Sequence, residues 1–221
     1  MVINKQININ HWFIGGMMRG VDVSSYQGDV DFAELRRQGV GFAYIKATEG
    51  GAYKDPKFTT NWSAAEEAGL PVGAYHFFSY DTSGAKQAEN YISTVGSLEG
   101  RLIPVIDMEL SKEQKTNPPE KSDVVKTLKV FVAALEEEYD TKPMIYATKD
   151  YYENYLKDDF ADYPRWVRSV YWPVFIEVGN DWTVWQYDDH GKLEGYNGEE
   201  EFIDMNVINS EKGLEQLKYK L

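Results

Sequence analysis

The chain has 221 residues, 43% of them hydrophobic, which suits one domain with a sizeable core and excludes a disordered chain. A formal charge of −13 excludes nucleic acid or an anionic membrane as a general partner, because both select a basic footprint. With no cysteine there is no disulfide, thiolate metal site or cysteine nucleophile. No stretch is long or apolar enough to span a bilayer.

Residues 1–18 read as an extension or leader ahead of the domain at 19–221. They lack the cationic start and unbroken apolar run of a signal peptide. From Arg19 onward, strands and helices alternate. Gly20 to Ser24 is a buried strand, Val30 to Gln38 a short helix stopped by Gly39, and Gly41 to Ala47 a second strand. A helix from Phe58 to Ala68 leads to a strand at Pro71 to Phe78. A helix from Ser83 to Val95 leads to an apolar strand at Leu102 to Asp107. Asn117-Pro118-Pro119-Glu120 opens a long helix to about Tyr139, with proline suited to its first turn. Pro143 to Ala147 is a fifth strand, followed by a weak helix near Asp150 to Lys157. Arg165 to Val170, Thr183 to Tyr187 and Phe202 to Val207 are further strands, and a closing helix begins near Ser210. This α/β alternation predicts a parallel sheet with helices outside. Eight strands in about 200 residues predict a single irregular TIM-like barrel, with poorly formed helices in the last third.

In such barrels chemistry collects at the C-terminal ends of the strands. Asp22 lies near the end of the first strand, Asp107 ends the fourth, and Glu109 follows two positions on, on the same face if the chain stays extended. Asp204 lies in the last strand, which neighbours the first when a barrel closes. Four carboxyl groups therefore converge on one mouth. Crowding and burial oppose their ionisation, so at least one should hold a proton at neutral pH. That is the condition for glycoside cleavage. Taken singly, each acid could equally be a helix cap or loop anchor. Metal binding is the rival use of such a cluster, but there is no HExxH and no pair of histidines at ligand spacing. No cofactor or metal is expected. His76, on the third strand, is expected to pack or hydrogen-bond within the barrel.

Several runs together resemble the glycoside hydrolase family 25 lysozymes, the Chalaropsis-type N-acetylmuramidases. They are Gly20-Val21-Asp22-Val23-Ser24-Ser25-Tyr26-Gln27-Gly28, Phe42 to Gly50, Val72 to Phe77, and Pro104-Val105-Ile106-Asp107-Met108-Glu109. Ile145-Tyr146, Val184-Trp185-Gln186-Tyr187 and Asp204-Met205-Asn206 follow in the expected order. The resemblance implies hydrolysis of the β-1,4 bond between N-acetylmuramic acid and N-acetylglucosamine in peptidoglycan. It implies Glu109 as general acid and Asp107 acting on the substrate's 2-acetamido group. Asp22 and Asp204 would complete the cluster. Tyr75, Tyr146, Tyr44, Lys46, Trp166, Trp185 and Gln186 would contact substrate, although core packing is an equal use for the tyrosines and the commoner one for the tryptophans, and Lys46 is expected first to pair with Glu49. The implied partner is the peptidoglycan glycan strand, met by a monomer acting at the cell wall as an exported bacterial protein or phage endolysin. Two positions depart from the family pattern: Arg168 after Trp166-Val167, and Val207-Ile208 where an aromatic is common. An alternative reading is a non-catalytic glycan-binding or structural barrel in a phage or secretion assembly. A third is hydrolysis of another N-acetylated glycan such as chitin.

Overall fold

A computed structural model describes residues 9–220. Of the extension or leader expected at residues 1–18, residues 1–8 lie outside the described residues. Among the described residues nine strands form one sheet: β1 (Arg19–Val23), β2 (Phe42–Glu49), β3 (Tyr53–Lys54), β4 (Val72–Phe77), β5 (Val105–Asp107), β6 (Met144–Thr148), β7 (Arg165–Arg168), β8 (Val184–Gly191) and β9 (Ile203–Ile208). Eight of them close a barrel in the order β1-β9-β8-β7-β6-β5-β4-β2, sealed by pairing of β1 with β2, while β3 hangs on β2 as a hairpin. Helices α1 (Phe32–Arg37), α2 (Phe58–Glu67), α3 (Gly84–Val95), α4 (Lys112–Thr116) and α5 (Lys121–Tyr139) fill the early crossovers.

The barrel is mixed, not wholly parallel. β9 runs antiparallel to both β8 and β1. Residues 192–202 return the chain from β8 without a helix, and such a direct return reverses direction where a parallel pair would need a longer crossover. This reversal matters for chemistry. The mouth formed by the C-terminal ends of the other strands meets the beginning of β9, where Asp204 stands opposite Asp22 in register.

Other elements also differ from expectation. The long helix starts at Lys121 with Glu120 as its cap, so Pro118 and Pro119 precede it. A proline disfavours helical backbone in the residue before it, which keeps Pro118 out of the helix. The short α4 was not anticipated; its Ser111 and Gln114 form a capping box. The weak helix is Lys149–Tyr151 running into a π-helical turn at Tyr152–Leu156. No closing helix forms near Ser210, only a 3-10 turn at Leu214–Gln216. The tail is instead used in extended form. Leu217 accepts from the Ile103 amide at 2.7 Å, and the Tyr219 amide donates to Arg101 at 2.8 Å, so buried Leu217 plugs the barrel floor.

Two apolar clusters follow from the two-residue period of the strands. Outward residues such as Val21, Ile45, Ala74, Ile106, Ile145 and Val167 pack beneath helix residues such as Leu35, Tyr91, Leu128 and Phe131. Inward residues Phe42, Tyr44, Val105, Met144, Trp166, Val184 and Ile208 fill the lower barrel with Leu102, Ile103 and Leu217. Glycines make room for the largest rings. A Cβ on Gly20 would lie 2.3 Å from the Phe42 ring, and one on Gly73 2.2 Å from the Tyr44 ring.

His76 faces outward, fully buried beneath α3 and α5. Its Nδ1 lies 2.7 Å from the Thr48 hydroxyl and its Nε2 3.0 Å from Gln87 Oε1. Burial pushes it down to about 4, so it is neutral and structural. Residues preceding β1 are tied to the barrel as well. The Asn10 amide donates to the carbonyls of Ser169 and Tyr187, and His11 pairs with Asp188 at 2.8 Å. Among the described residues no helix is long and apolar enough to cross a membrane.

Candidate active site

Above the apolar floor, the same inward rows turn polar. Lys46 stands two residues beyond Tyr44, Asp107 beyond Val105, Tyr146 beyond Met144 and Gln186 beyond Val184. On the reversed β9 the order is Ile208, Asn206, Asp204. These side chains open into a cavity of about 430 Å³, lined among others by Asp22, Asp107, Glu109, Asp204, Tyr75 and Trp166. The four expected acids are thus brought together at one mouth.

The hydrogen bonds are ordered around Asp22. Trp166 Nε1 donates to Asn206 Oδ1 at 2.9 Å, which turns the Asn206 amide nitrogen toward Asp22 Oδ2 at 2.7 Å. The Tyr146 hydroxyl donates to Gln186 Oε1 at 2.9 Å, which turns the Gln186 nitrogen to the same Asp22 oxygen at 3.1 Å. Each amide is fixed by a donor that could not accept in its place or is itself placed by packing, so two aimed donors reach one carboxylate. Burial still dominates and pushes Asp22 up to about 6, against the lowering effect of Asn206 and Gln186. Asp204 is pushed up to about 9, first by burial and then by the Asp22 charge, so at neutral pH it holds a proton and hydrogen-bonds to Asp22. Asp107 is raised well above the usual carboxylate range by burial, then by Glu109 and Asp22. Its Oδ1 is buried with no hydrogen-bond partner. A buried acceptor without a partner is costly unless a ligand supplies the donor.

Lys46 reaches the cavity but pairs with Glu49 at 2.7 Å and lies 4.8 Å from the Phe77 ring centre. Tyr75, Tyr146, Trp166 and Gln186 all border the cavity. Two expected substrate contacts are corrected. Trp185 is 1% exposed, and because Gln186 faces inward, its neighbour Trp185 must face outward. There it packs near Trp182 and Tyr187 and donates to the Ser169 carbonyl at 2.8 Å. Tyr44 faces inward but one layer too deep. It is fully buried against Trp166, with its hydroxyl 3.4 Å from the Ile103 carbonyl.

Several residues of the site were not foreseen. Asn206, buried behind Asp22, was legible as the residue two positions from Asp204 on the same face. Asp189 and His190 were not, because β8 shifts register against β9 after Gln186 and again after Asp188, which breaks the alternation. Tyr26 reaches the rim from a 3-10 turn at Ser25–Gln27, and Glu200 and Phe202 from the loop before β9. Arg168 bonds Asp189 at 2.5 Å, and His190 Nδ1 lies 2.6 Å from the other Asp189 oxygen.

The profile of glycosyl hydrolases family 25 matches residues 21–196. The chain belongs to glycosyl hydrolase family 25. A solved family 25 glycosyl hydrolase from Bacillus anthracis is 45% identical and superposes with a TM-score of 0.83, covering 91% of this chain and 93% of that one. Lysozyme M1 of Streptomyces globisporus is 32% identical over 202 residues, which is 87% of this chain and 68% of its own. The N,O-diacetylmuramidase of a Chalaropsis species is 27% identical over 209 residues, covering 88% of this chain and 98% of that protein. This family 25 member is a glycoside hydrolase.

Proposed function

We infer that the protein is a muramidase that hydrolyses the β-1,4 bond between N-acetylmuramic acid and N-acetylglucosamine in peptidoglycan. The observation that carries this reading is the pair at the end of β5: Asp107, with a buried, unpartnered oxygen, two residues from Glu109 in one cavity. An acetamido N–H is the neutral donor that such an oxygen lacks. In the reading, Glu109 gives its proton to the glycosidic oxygen as the bond to C1 breaks. The acetamido oxygen closes onto C1 to form an oxazolinium ring that keeps its N–H. Asp107, whose buried Oδ1 lacks a donor, accepts the acetamido N–H. Water then attacks C1 and gives a proton to the Glu109 carboxylate, which restores the acid and reopens the ring. Asp22 and the protonated Asp204 hold the adjoining side of the cavity. Tyr75, Tyr146 and Trp166 offer walls to the sugar.

Glu109→Gln is expected to lower kcat on purified cell wall by about 100- to 10,000-fold, the range for loss of a general acid. Full wall clearing by this variant would remove Glu109 from the role. Mass spectrometry of the released muropeptides should show reducing-end muramic acid, and NMR of fresh product should show the β-anomer first, as two successive displacements require. Equal cleavage of chitin would point to a broader N-acetylated glycan specificity.

A further inference from the structure

Glu109 borders two cavities. One is the acid-lined mouth. The other, about 790 Å³, lies on its far side and is bordered by Leu110, Lys115, Pro118, Asp150, Asn154 and Arg168 above the buried Tyr151 and Tyr155. We propose that this second cavity seats the peptide stem that peptidoglycan carries on its muramic acid, and so makes the enzyme favour stem-bearing strands over bare glycan. The proposal rests on the muramidase reading above.

The chemistry of the two cavities differs in the way a branched substrate needs. The mouth presents carboxylates, which would repel a peptide's own carboxylates. The second cavity presents cations to them. Lys115 is exposed and makes no ion pair among the described residues, in a chain of charge −13. Arg168 has five N–H donors and gives one to Asp189. Asp150, also without an ion pair among the described residues, offers a site for the ammonium group of a diamino acid. Asn154 makes no side-chain hydrogen bond among the described residues and can serve a peptide group. Leu110 and Pro118 supply apolar wall.

The floor of this cavity is built and joined to the catalytic residue. The Tyr80 hydroxyl donates to the Glu109 carbonyl at 3.0 Å and lies 2.9 Å from the Tyr151 hydroxyl. Tyr151 stacks on Tyr155 with ring centres 4.7 Å apart, and Tyr155 donates to the Pro119 carbonyl at 3.1 Å. These rings spend a face on each other and are buried, so they do not form an exposed platform for a further sugar. A peptide of mixed charge is the better fit.

The test compares kcat/KM on uncross-linked glycan strands with stems and on the same strands after an amidase has removed the stems. Wild-type enzyme is expected to favour stem-bearing strands by about tenfold or more. Lys115→Ala and Lys115→Glu should remove most of that preference, mainly through KM, with bare-strand cleavage changed less than about twofold; a loss of about 1.4 kcal/mol corresponds to each tenfold. Asn154→Ala should act in the same direction. Equal cleavage of both substrates by wild type would overturn the proposal. So would variants that slow both substrates alike, which would assign the cavity to outer sugars. Failure of wild type to cleave either strand would instead overturn the muramidase reading, and this inference with it. Unchanged thermal melting of the Lys115 variants would show that folding is not the cause.

Discussion

The lower and upper halves of the barrel interior are made by the same strands and do opposite things. Below, Phe42, Tyr44, Met144, Val184 and Ile208 interlock, with Gly20 and Gly73 leaving room for the rings. Above, two residues nearer the mouth on their strands, Tyr146, Gln186 and Asn206 hold a hydrogen-bonded network around Asp22. The apolar floor has no partner left to offer a ligand. The polar layer keeps unspent capacity, most visibly the buried Asp107 oxygen. A barrel of this size can be solid at one end and reactive at the other because the pleat sets the face while position along the strand sets the depth.

Substitutions can break that division. The largest effect in this series is expected from Asp107→Asn, which keeps the fold but should lower turnover about 100-fold or more, since it alters the acceptor placed at the reacting group. Unchanged reducing-end release would remove Asp107 from the mechanism. Next is Gly73→Ala in the floor. The added methyl meets the Tyr44 ring, and overpacking of this kind costs about 1–3 kcal/mol. Urea denaturation should show the loss while kcat on cell wall stays within about twofold.

Asn206→Ala sharpens the comparison, because it lies where the layers meet. It strands Trp166 Nε1 and takes a donor from Asp22, for a stability loss of about 1–3 kcal/mol together with reduced kcat. A loss of stability with full activity would separate the network from catalysis.

The smallest effect has the opposite sign. Asp204 is raised in the fold to about 9 from an unfolded value near 3.8, so it opposes folding increasingly as pH rises between those values. Asp204→Asn keeps a donor toward Asp22 and cannot ionise. The variant should therefore melt a few degrees higher than wild type at pH 8, with a smaller gain at pH 5. A gain independent of pH would contradict the assignment of the proton to Asp204.

Much of the site was legible because strands repeat every two residues. Asp22, Asp107 and Gln186 could be placed on the inward face from their apolar neighbours, and Asp204 followed from closure of the first strand against the last. The same period, applied strictly, would have turned Trp185 outward. Depth was not legible. Tyr44 and Lys46 share a face, and only the fill of the floor shows which one meets the cavity. Asp189 and His190 lay beyond reach because register shifts in β8 break the period before them.

The sequence by itself determined the alternation of elements, the inward faces and the identity of the acids, since these depend on local periodicity and residue chemistry. The tertiary structure alone decided the reversal of β9, the use of the tail as a plug and the distribution of protons among Asp22, Asp107 and Asp204. Those features depend on how far each group is removed from water and which charges stand beside it, and both are set by contacts between segments distant along the chain.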